Sequence, residues 1–424
     1  MAELDRNTAP EVKAFDRMTF RKERVESLAN GARLHIIADP SCPMTHICIA
    51  ASGGKDEAES QAVAITAAHL LPEGSKEFDY DTTADIIDFY GANLSGSTSD
   101  HLTRLDLTAL SQYAAELLPV VTATVCAPDF TPERFEAAKS LLSARCAYND
   151  SRVDHIAYKA AYSLIAGEES AKTRFASAQD FVSVGSDAVS SQQRNVFQSC
   201  GIDVFLCGGA DDRLEQGVRD MAASFPAGRG ITPQVHPFTP SPAQTLHIER
   251  PGSEQSAVQV MIPAIGREHP DYIPLRLAVT ALGGFFGSRL MQNIRENKGL
   301  TYGISASLSG MQEGSFIDIS AQCAPQHTER LLDELCSELH GMATNPLSPD
   351  ELLRMRLFEQ TRLASLLDNA VATGGHYITA LAVGLPDGYF ERQERITASI
   401  TAEDIADVAA RYLIADNMRI AIVG

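Results

Sequence analysis

The chain of 424 residues contains the same succession of predicted elements twice, and this duplication constrains its fold more than any other feature. A helix start in which Pro132 and Glu133 follow Thr131 recurs as Pro349 and Asp350 after Ser348. The repeat distance is roughly 215 residues, half of the chain, which indicates a tandem duplication of one structural unit.

Both halves carry the same order of strands and helices. In the first half, the alternation of apolar residues and the turn signals predict a hairpin at 25–38, a strand at 46–51, helices at 57–71 and 82–90, strands at 93–98 and 102–107, and a helix at 112–125. In the second half they predict strands at 245–249 and 257–262, helices at 272–282 and 286–297, strands at 302–308 and 315–321, and a helix at 328–342.

This plan predicts an α+β fold with two homologous domains, each a mostly antiparallel sheet covered by helices mainly on one face. The domains are predicted at 1–225 and 244–424. Between them, residues 226–243 contain five prolines and little periodicity, which is typical of a semi-rigid linker. We expect the two domains to be arranged as a clamp.

Composition excludes several classes of function. The formal net charge of −20 opposes binding to nucleic acid or anionic lipid, and it either favours cationic peptides or simply maintains solubility. No apolar run is long enough to cross a bilayer, so no membrane insertion is predicted, and residues 1–24 lack the apolar core of a signal peptide.

The eight cysteines include no Cys-x-x-Cys pair and are expected to be mostly buried thiols, although the sequence does not exclude a disulfide bond between a well-placed pair. A cytoplasmic location is therefore expected.

Two motifs in the second half suggest a family. The run LGGFFGSRL occupies 282–290, and the run RENKGLTY occupies 295–302. Together with the duplicated plan, these runs resemble the metallopeptidases of the pitrilysin and mitochondrial-processing-peptidase type, especially the short bacterial members. The resemblance extends over nearly the whole chain.

In active members of this family, an inverted His-x-x-Glu-His motif on the first helix binds zinc, and a further Glu comes from a later helix. Positions i and i+4 lie on one helical face, so two imidazoles can reach one ion while the Glu activates its water. Aligning the Gly-Thr that follows the family motif with Gly74-Ser75 places the motif on 65–69. Ile65 and Ala68 stand where a ligand and the general base are needed, and His69 is retained.

The third ligand is expected near Cys146, but residues 137–149 contain no Asp or Glu. An alternative pair, His69 and Glu73, is separated by Pro72, which would break the helix that must align them. We therefore predict no metal in this chain, and we expect His69 to be a hydrogen-bonded structural residue.

The resemblance also implies a substrate-binding pair in the second half. Arg295 and Tyr302, seven residues apart, match an arginine and a tyrosine that face the zinc of active members. A guanidinium group can hold a peptide carbonyl and a phenol can stabilise an oxyanion. The alternative is a salt-bridged surface arginine and a half-buried strand tyrosine. Residues 91–99, rich in Gly and Ser, match the strand on which the family adds an extended peptide, or else form a mobile edge.

Some short bacterial members work as heterodimers in which one subunit carries the zinc motif and the other carries the Arg/Tyr pair. By this resemblance the chain is the non-catalytic, substrate-binding subunit, its partner is a zinc-bearing homologue, and its substrate is an extended peptide. Zinc is expected only in the partner. Two alternatives remain: a structural homologue, like the core subunits of respiratory complexes, and a homodimeric peptide-binding module.

Overall fold

A computed structural model describes residues 18–167, 170–199, 201–226, 228 and 237–424. The strands are β1 (Arg24–Ser27), β2 (Arg33–Ala38), β3 (Met44–Ser52), β4 (Asn93–Thr98), β5 (Leu102–Leu110), β6 (Ile202–Gly208), β7 (Thr245–Ile248), β8 (Ser256–Ala264), β9 (Thr301–Gly310), β10 (Ser315–Cys323) and β11 (Arg419–Val423).

The helices follow the same division into halves. They are α1 (Gln61–His69), α2 (Tyr80–Phe89), α3 (Ala114–Cys126), α4 (Pro132–Ser151), α5 (Val153–Ala166), α6 (Ala178–Ser183), α7 (Ser186–Ser199), α8 (Asp212–Ser224), α9 (Tyr272–Val279), α10 (Thr328–Thr344), α11 (Pro349–Ser365), α12 (Ala370–Val383), α13 (Tyr389–Ser399) and α14 (Ala402–Tyr412). Two segments with wider helical turns, Thr280–Gly284 and Met291–Asn297, continue the pattern after α9.

The sheet topology confirms the duplication. The first sheet has the strand order β1-β2-β6-β3-β5-β4, and the second has the order β7-β11-β8-β10-β9. Apart from β1, each strand of one sheet has a counterpart at the same place in the other. Each sheet also contains one parallel pair, β2 with β6 and β7 with β11, among antiparallel neighbours. The predicted α+β class with two homologous, mostly antiparallel sheets is confirmed.

The helix starts that suggested the repeat are formed as predicted. The Thr131 hydroxyl accepts a hydrogen bond from the Arg134 amide at the start of α4. The Ser348 hydroxyl accepts one from the Glu351 amide at the start of α11, and the Glu351 carboxylate accepts one from the Ser348 amide. These caps satisfy amides that the first helical turn leaves without a partner.

The two halves exchange one helix each. Helix α5 packs on β8 and β11 of the second sheet, where Ala157 and Ala161 contact the apolar face formed by Ala257 and Met261. Helix α12 packs on β2, β3 and β6 of the first sheet in the same way. Small residues allow these close crossings, since a Cβ on Gly374 would lie 2.1 Å from the Cys207 Sγ atom. Each sheet is thus covered by its own helices on one face and by a helix of the other half on the opposite face.

Three sequence predictions differ in detail from the structure. The first helix, predicted at 57–71, covers only Gln61–His69, because Ser60 caps it and the following turn contains Pro72. The helix predicted at 286–297 starts later, after a turn at 285–288. The predicted linker lies partly outside the described residues, at 227 and 229–236, and its end packs against α5, where the Thr239 amide donates to the Ala166 carbonyl. The domain boundaries themselves stay a prediction.

The seven cysteines within the described residues are free thiols, and Cys200 lies outside the described part. None of the described helices is both long enough and apolar enough to cross a membrane.

A helical segment and the edge strand of the sheet approach each other closely in each half. A Cβ on Gly96 of β4 would lie 2.0 Å from the Ala68 carbonyl oxygen on α1. At the corresponding contact of the second half the glycine is on the helical side, where a Cβ on Gly283 would lie 2.6 Å from the Ala306 Cβ of β9.

This contact predicts that Gly96→Ala lowers the free energy of unfolding by about 1–3 kcal/mol, because the strand must move away from α1. The matched control is Gly303→Ala on β9, where an added Cβ meets no atom within 4 Å. Urea unfolding followed by circular dichroism measures both variants. Equal midpoints for the two variants would show that the close approach is not required.

Candidate functional site

The position predicted for a zinc motif lies on α1, which packs against α4 and α7. Ile65 joins an apolar cluster with Val63, Ala67 and Leu142, and Cys146 contacts the same cluster. The structure therefore brings together the two places where ligands were sought, the first helix and the helix near Cys146. Both contribute apolar or weakly polar side chains there.

The residues of this cluster do not fit a zinc ion. Ala68 is 2% exposed and has no carboxylate, and Ile65 has no ligand atom. The Cys146 thiol donates to the Ala176 carbonyl at 3.3 Å, and burial raises its pKa, so a thiolate ligand is disfavoured. His69 is half-buried, and its imidazole makes no hydrogen bond to another described residue, so the partner expected for a structural histidine is not found there.

The second half places Arg295 and Tyr302 side by side. The turn at 285–288 and the wide helical turns of Met291–Asn297 carry Arg295 to the start of β9, where Tyr302 is 88% exposed. The Arg295 guanidinium carbon lies 5.4 Å from the centre of the Tyr302 ring and 5.0 Å from that of Phe286. The cation is therefore held between two aromatic rings at the surface, and Arg295 also pairs with Glu296 at 3.0 Å.

A groove of about 540 Å³ starts at Tyr302 and follows the sheet. Its walls come from β8, β9 and β10 and from the start of α5, and they include Met291, Asp154 and Gln259. Strand β9 is the edge of the second sheet, and β4, the predicted peptide-binding segment, is the edge of the first. An edge strand offers free amide and carbonyl groups to an extended chain.

The sequence is similar to those of several known proteins. Residues 184–357 match the family model described as the Peptidase M16 inactive domain. The chain is 25% identical over 284 residues to the non-peptidase homolog YmxG of Helicobacter pylori, covering 65% of each protein. It is 26% identical over 205 residues to an uncharacterized zinc protease of Streptomyces coelicolor, covering 46% of this chain and 44% of that protein. The alignments thus span less than two thirds of these relatives' own lengths.

Solved structures share the whole fold. A peptidase M16 inactive domain from Pseudomonas fluorescens superposes with a TM-score of 0.85 at 21% identity, covering 95% of this chain and 98% of that one. A protease from Helicobacter pylori gives 0.81 at 16% identity, covering 96% and 100%. The matched family model, these relatives and these structures fit the inactive pitrilysin-type, or M16, metallopeptidase family. The fold is the clamp of this M16 family.

Where the two halves of the chain meet, the structure shows a buried charged cluster that the sequence did not predict. His101 lies in the turn between β4 and β5, and Glu313 lies in the equivalent turn between β9 and β10. The His101 Nε2 atom lies 2.5 Å from the Glu313 carboxylate, and its Nδ1 atom lies 2.9 Å from that of Glu57. The Lys172 ammonium group lies 2.6 Å from Asp56 and 3.2 Å from Glu313.

This interdomain cluster is fixed electrostatically. Burial alone would lower the pKa of His101, but the hydrogen bonds to Glu313 and Glu57 raise it to about 9. Burial alone would raise the pKa of Asp100, but Lys55 and Lys172 hold it at about 2. Ligand atoms of Asp56, His101 and Glu313 lie within 4.8 Å of one another, as in a metal site. The Lys172 ammonium group already supplies the positive charge there, so the cluster functions as a contact between the halves.

The sequence did not predict two features of the structure, the packing of Phe286 on Arg295 and the pairing of His101 with Glu313. Phe286, which packs on Arg295, lies within the glycine-rich run that suggested the family. The sequence did not show that its ring is exposed at the surface, where it can contact Arg295. The pairing of His101 with Glu313 had a signal, because both residues occupy the same place in the repeat. The sequence alone does not show that the β4–β5 turn and the β9–β10 turn meet in the fold, so the pairing could not be predicted from it.

The raised pKa of His101 predicts a pH-dependent stability. A histidine with a folded-state pKa near 9 stabilises the fold fully below its unfolded value of about 6.5, and the contribution is lost as pH rises through 9. Replacing His101→Gln should therefore cost on the order of 2 kcal/mol at pH 6, with a smaller cost at pH 9.5.

Urea unfolding of both proteins between pH 6 and 9.5 measures this difference. His247→Gln on β7, an exposed position, is the control and should leave the pH profile of the wild type unchanged. A constant difference between wild type and His101→Gln over the whole range would contradict the protonated state of His101.

Proposed function

We propose that this chain is the non-catalytic, substrate-binding subunit of a heterodimeric zinc metallopeptidase that acts on unstructured peptides. The observation that carries the proposal is the contrast between the halves. The ligand positions on α1 and α4 have become an apolar cluster, whereas Arg295 and Tyr302 stand together at the surface beside an edge strand. A chain that had lost both zinc binding and substrate binding would have no need to keep Arg295 and Tyr302 together at the surface.

Arg295 and Tyr302 would act on a substrate whose scissile bond lies in the partner. In such an assembly the partner's zinc ion would supply the activated water and polarise the peptide carbonyl. The guanidinium fork of Arg295 binds and orients a carbonyl oxygen of the peptide. The hydroxyl of Tyr302, which is exposed, donates a hydrogen bond to the oxygen on which negative charge develops. Phe286 keeps the guanidinium group in place.

The groove beside β9 supports a role in holding an extended peptide. Backbone hydrogen bonds to an edge strand do not depend on the peptide's sequence, and the wall residues Asp154, Gln255 and Gln259 are polar. The net charge of −20 would favour cationic peptides. We also propose a cytoplasmic location, because the seven described cysteines are free thiols, as expected in a reducing compartment.

The purified chain alone should hydrolyse no peptide and should bind no stoichiometric zinc. An unstructured fluorogenic peptide and metal analysis after dialysis test both expectations. Chelator-sensitive hydrolysis by the chain alone would contradict the proposal.

In a complex reconstituted with a zinc-bearing homologue, Arg295→Ala should lower kcat/KM by roughly 100-fold, because a transition-state contact is lost. Tyr302→Phe should lower kcat by roughly 10-fold, since only the hydroxyl is removed. Zinc content and assembly should be unchanged in both variants.

The matched control is Arg354→Ala on the exposed face of α11, where Arg354 pairs only with Asp350 among the described residues. It should retain the activity of the wild-type complex. If Arg295→Ala and Arg354→Ala behave alike, the chain supplies no residue to the partner's site, and a structural or homodimeric peptide-binding role is favoured.

A further inference from the structure

A second cavity lies far along the chain from Arg295 and Tyr302, where the exchanged helix α12 crosses the first sheet. It measures about 350 Å³ and is closed by the connection between α12 and α13 and by residues 20–23. A cavity of this volume is within the range of small-molecule sites. None of its walls belongs to the groove beside β9 or to the cluster around His101.

Most charged groups in the walls of this cavity are already paired. Arg21 lies 2.8 Å from Asp39, and Arg33 lies 2.6 Å from Asp203. The imidazole of His35 is held between the carboxylates of Glu23, at 2.7 Å, and Asp203, at 2.8 Å. These pairs balance the cations at the wall, so Arg21, Arg33 and His35 leave little positive charge for an anionic ligand.

Two carboxylates are left over. Asp387, an exposed residue at the end of the connection, and Glu391, a half-buried residue in the first turn of α13, both line the cavity, and neither forms an ion pair with another described residue. An unpaired carboxylate next to a partly closed cavity favours a cationic occupant. A cation loses hydration energy when it enters the cavity, and pairing with the carboxylate offsets part of that loss.

Aromatic rings form much of the remaining wall. Phe20, Tyr377, Tyr389 and Phe390 line the cavity, and their π faces attract cations. His376 also lines it and is 8% exposed, with an Nε2 atom that has no hydrogen-bond partner among the described residues. Burial lowers the pKa of His376 to about 4, so its ring is neutral and does not repel a cation.

We propose that this cavity binds a small organic cation, an ammonium group on an apolar body, through Asp387, Glu391 and the surrounding aromatic rings. The ammonium group pairs with the carboxylates, and the apolar part replaces water against the rings. A free amine and a lysine side chain of a peptide share this chemistry. The site is independent of the proposed role of Arg295.

Isothermal titration calorimetry with the full chain tests the proposal with defined probes. Phenethylammonium should bind with a Kd of roughly 10⁻⁴ M, and 2-phenylethanol, its neutral analogue, should bind at least about 10-fold more weakly. The amide-capped lysine N-acetyl-lysine methylamide is the third probe. If it binds as tightly as phenethylammonium, the occupant is a peptide side chain, and if it binds weakly, the occupant is a free amine.

The double variant Asp387→Asn, Glu391→Gln should weaken phenethylammonium binding by about 10-fold or more, since both charges are removed. Its charge-matched control is Asp81→Asn, Asp85→Asn on the exposed face of α2, which should bind like the wild type. A thermal melt of each variant confirms folding, and Tyr377→Leu gives a second, uncharged test that should also weaken binding. Equal affinity for the charged and neutral probes, or unchanged binding by the double variant, would overturn the proposal.

Discussion

The exchange of α5 and α12 between the halves is the interaction on which the rest of the structure depends. Each sheet has one face that its own half leaves bare, and the helix of the other half buries it. Burial of apolar area is the main force that holds such a contact together. Because the exchange is reciprocal, neither sheet can be covered on both faces without the other half. The equivalent turns bearing His101 and Glu313 then meet at the junction, where Lys172 joins them.

This junction joins the two sheets that carry the candidate surfaces. The first sheet carries the α1 face and the edge strand β4, and the second carries the Arg295–Tyr302 pair and the edge strand β9. Duplication also allows the halves to diverge, because packing requirements and functional requirements involve different residues. The close contact between helix and edge strand is preserved in both halves, with Gly96 on the strand in one and Gly283 on the helix in the other. At the same time, Ile65 packs in an apolar cluster, at the position that the family resemblance aligns with a zinc ligand.

The strands and helices up to the start of α4, and those from β7 to the start of α11, could be predicted from the sequence, because the repeat supported most of them with a second signal. The caps at Thr131 and Ser348 and the paired strands at β4–β5 and β9–β10 were local patterns of this kind. Strand β6 and helices α5–α8 and α12–α14 were not predicted. The exchange of α5 and α12 could not be predicted, since an apolar helix face carries no information about which sheet it covers. For the same reason the charged cluster was missed: His101, Lys172 and Glu313 are far apart in the sequence, and only the reciprocal packing brings them within hydrogen-bond distance. The nearness of Arg295 and Tyr302 was predicted, whereas Phe286 beside them was not.

We propose that this chain contributes substrate contacts to a metal centre on its partner. The most direct measurement is purification of the chain from its native cell at physiological ionic strength, followed by protein identification, zinc analysis and a peptide-hydrolysis assay on the same fractions. We expect a stoichiometric homologue with an intact His-x-x-Glu-His motif, one zinc ion per pair, and activity that disappears when the two chains are separated. Purification of the chain alone or as a homodimer, with no zinc-bearing homologue in any active fraction, would contradict this proposal.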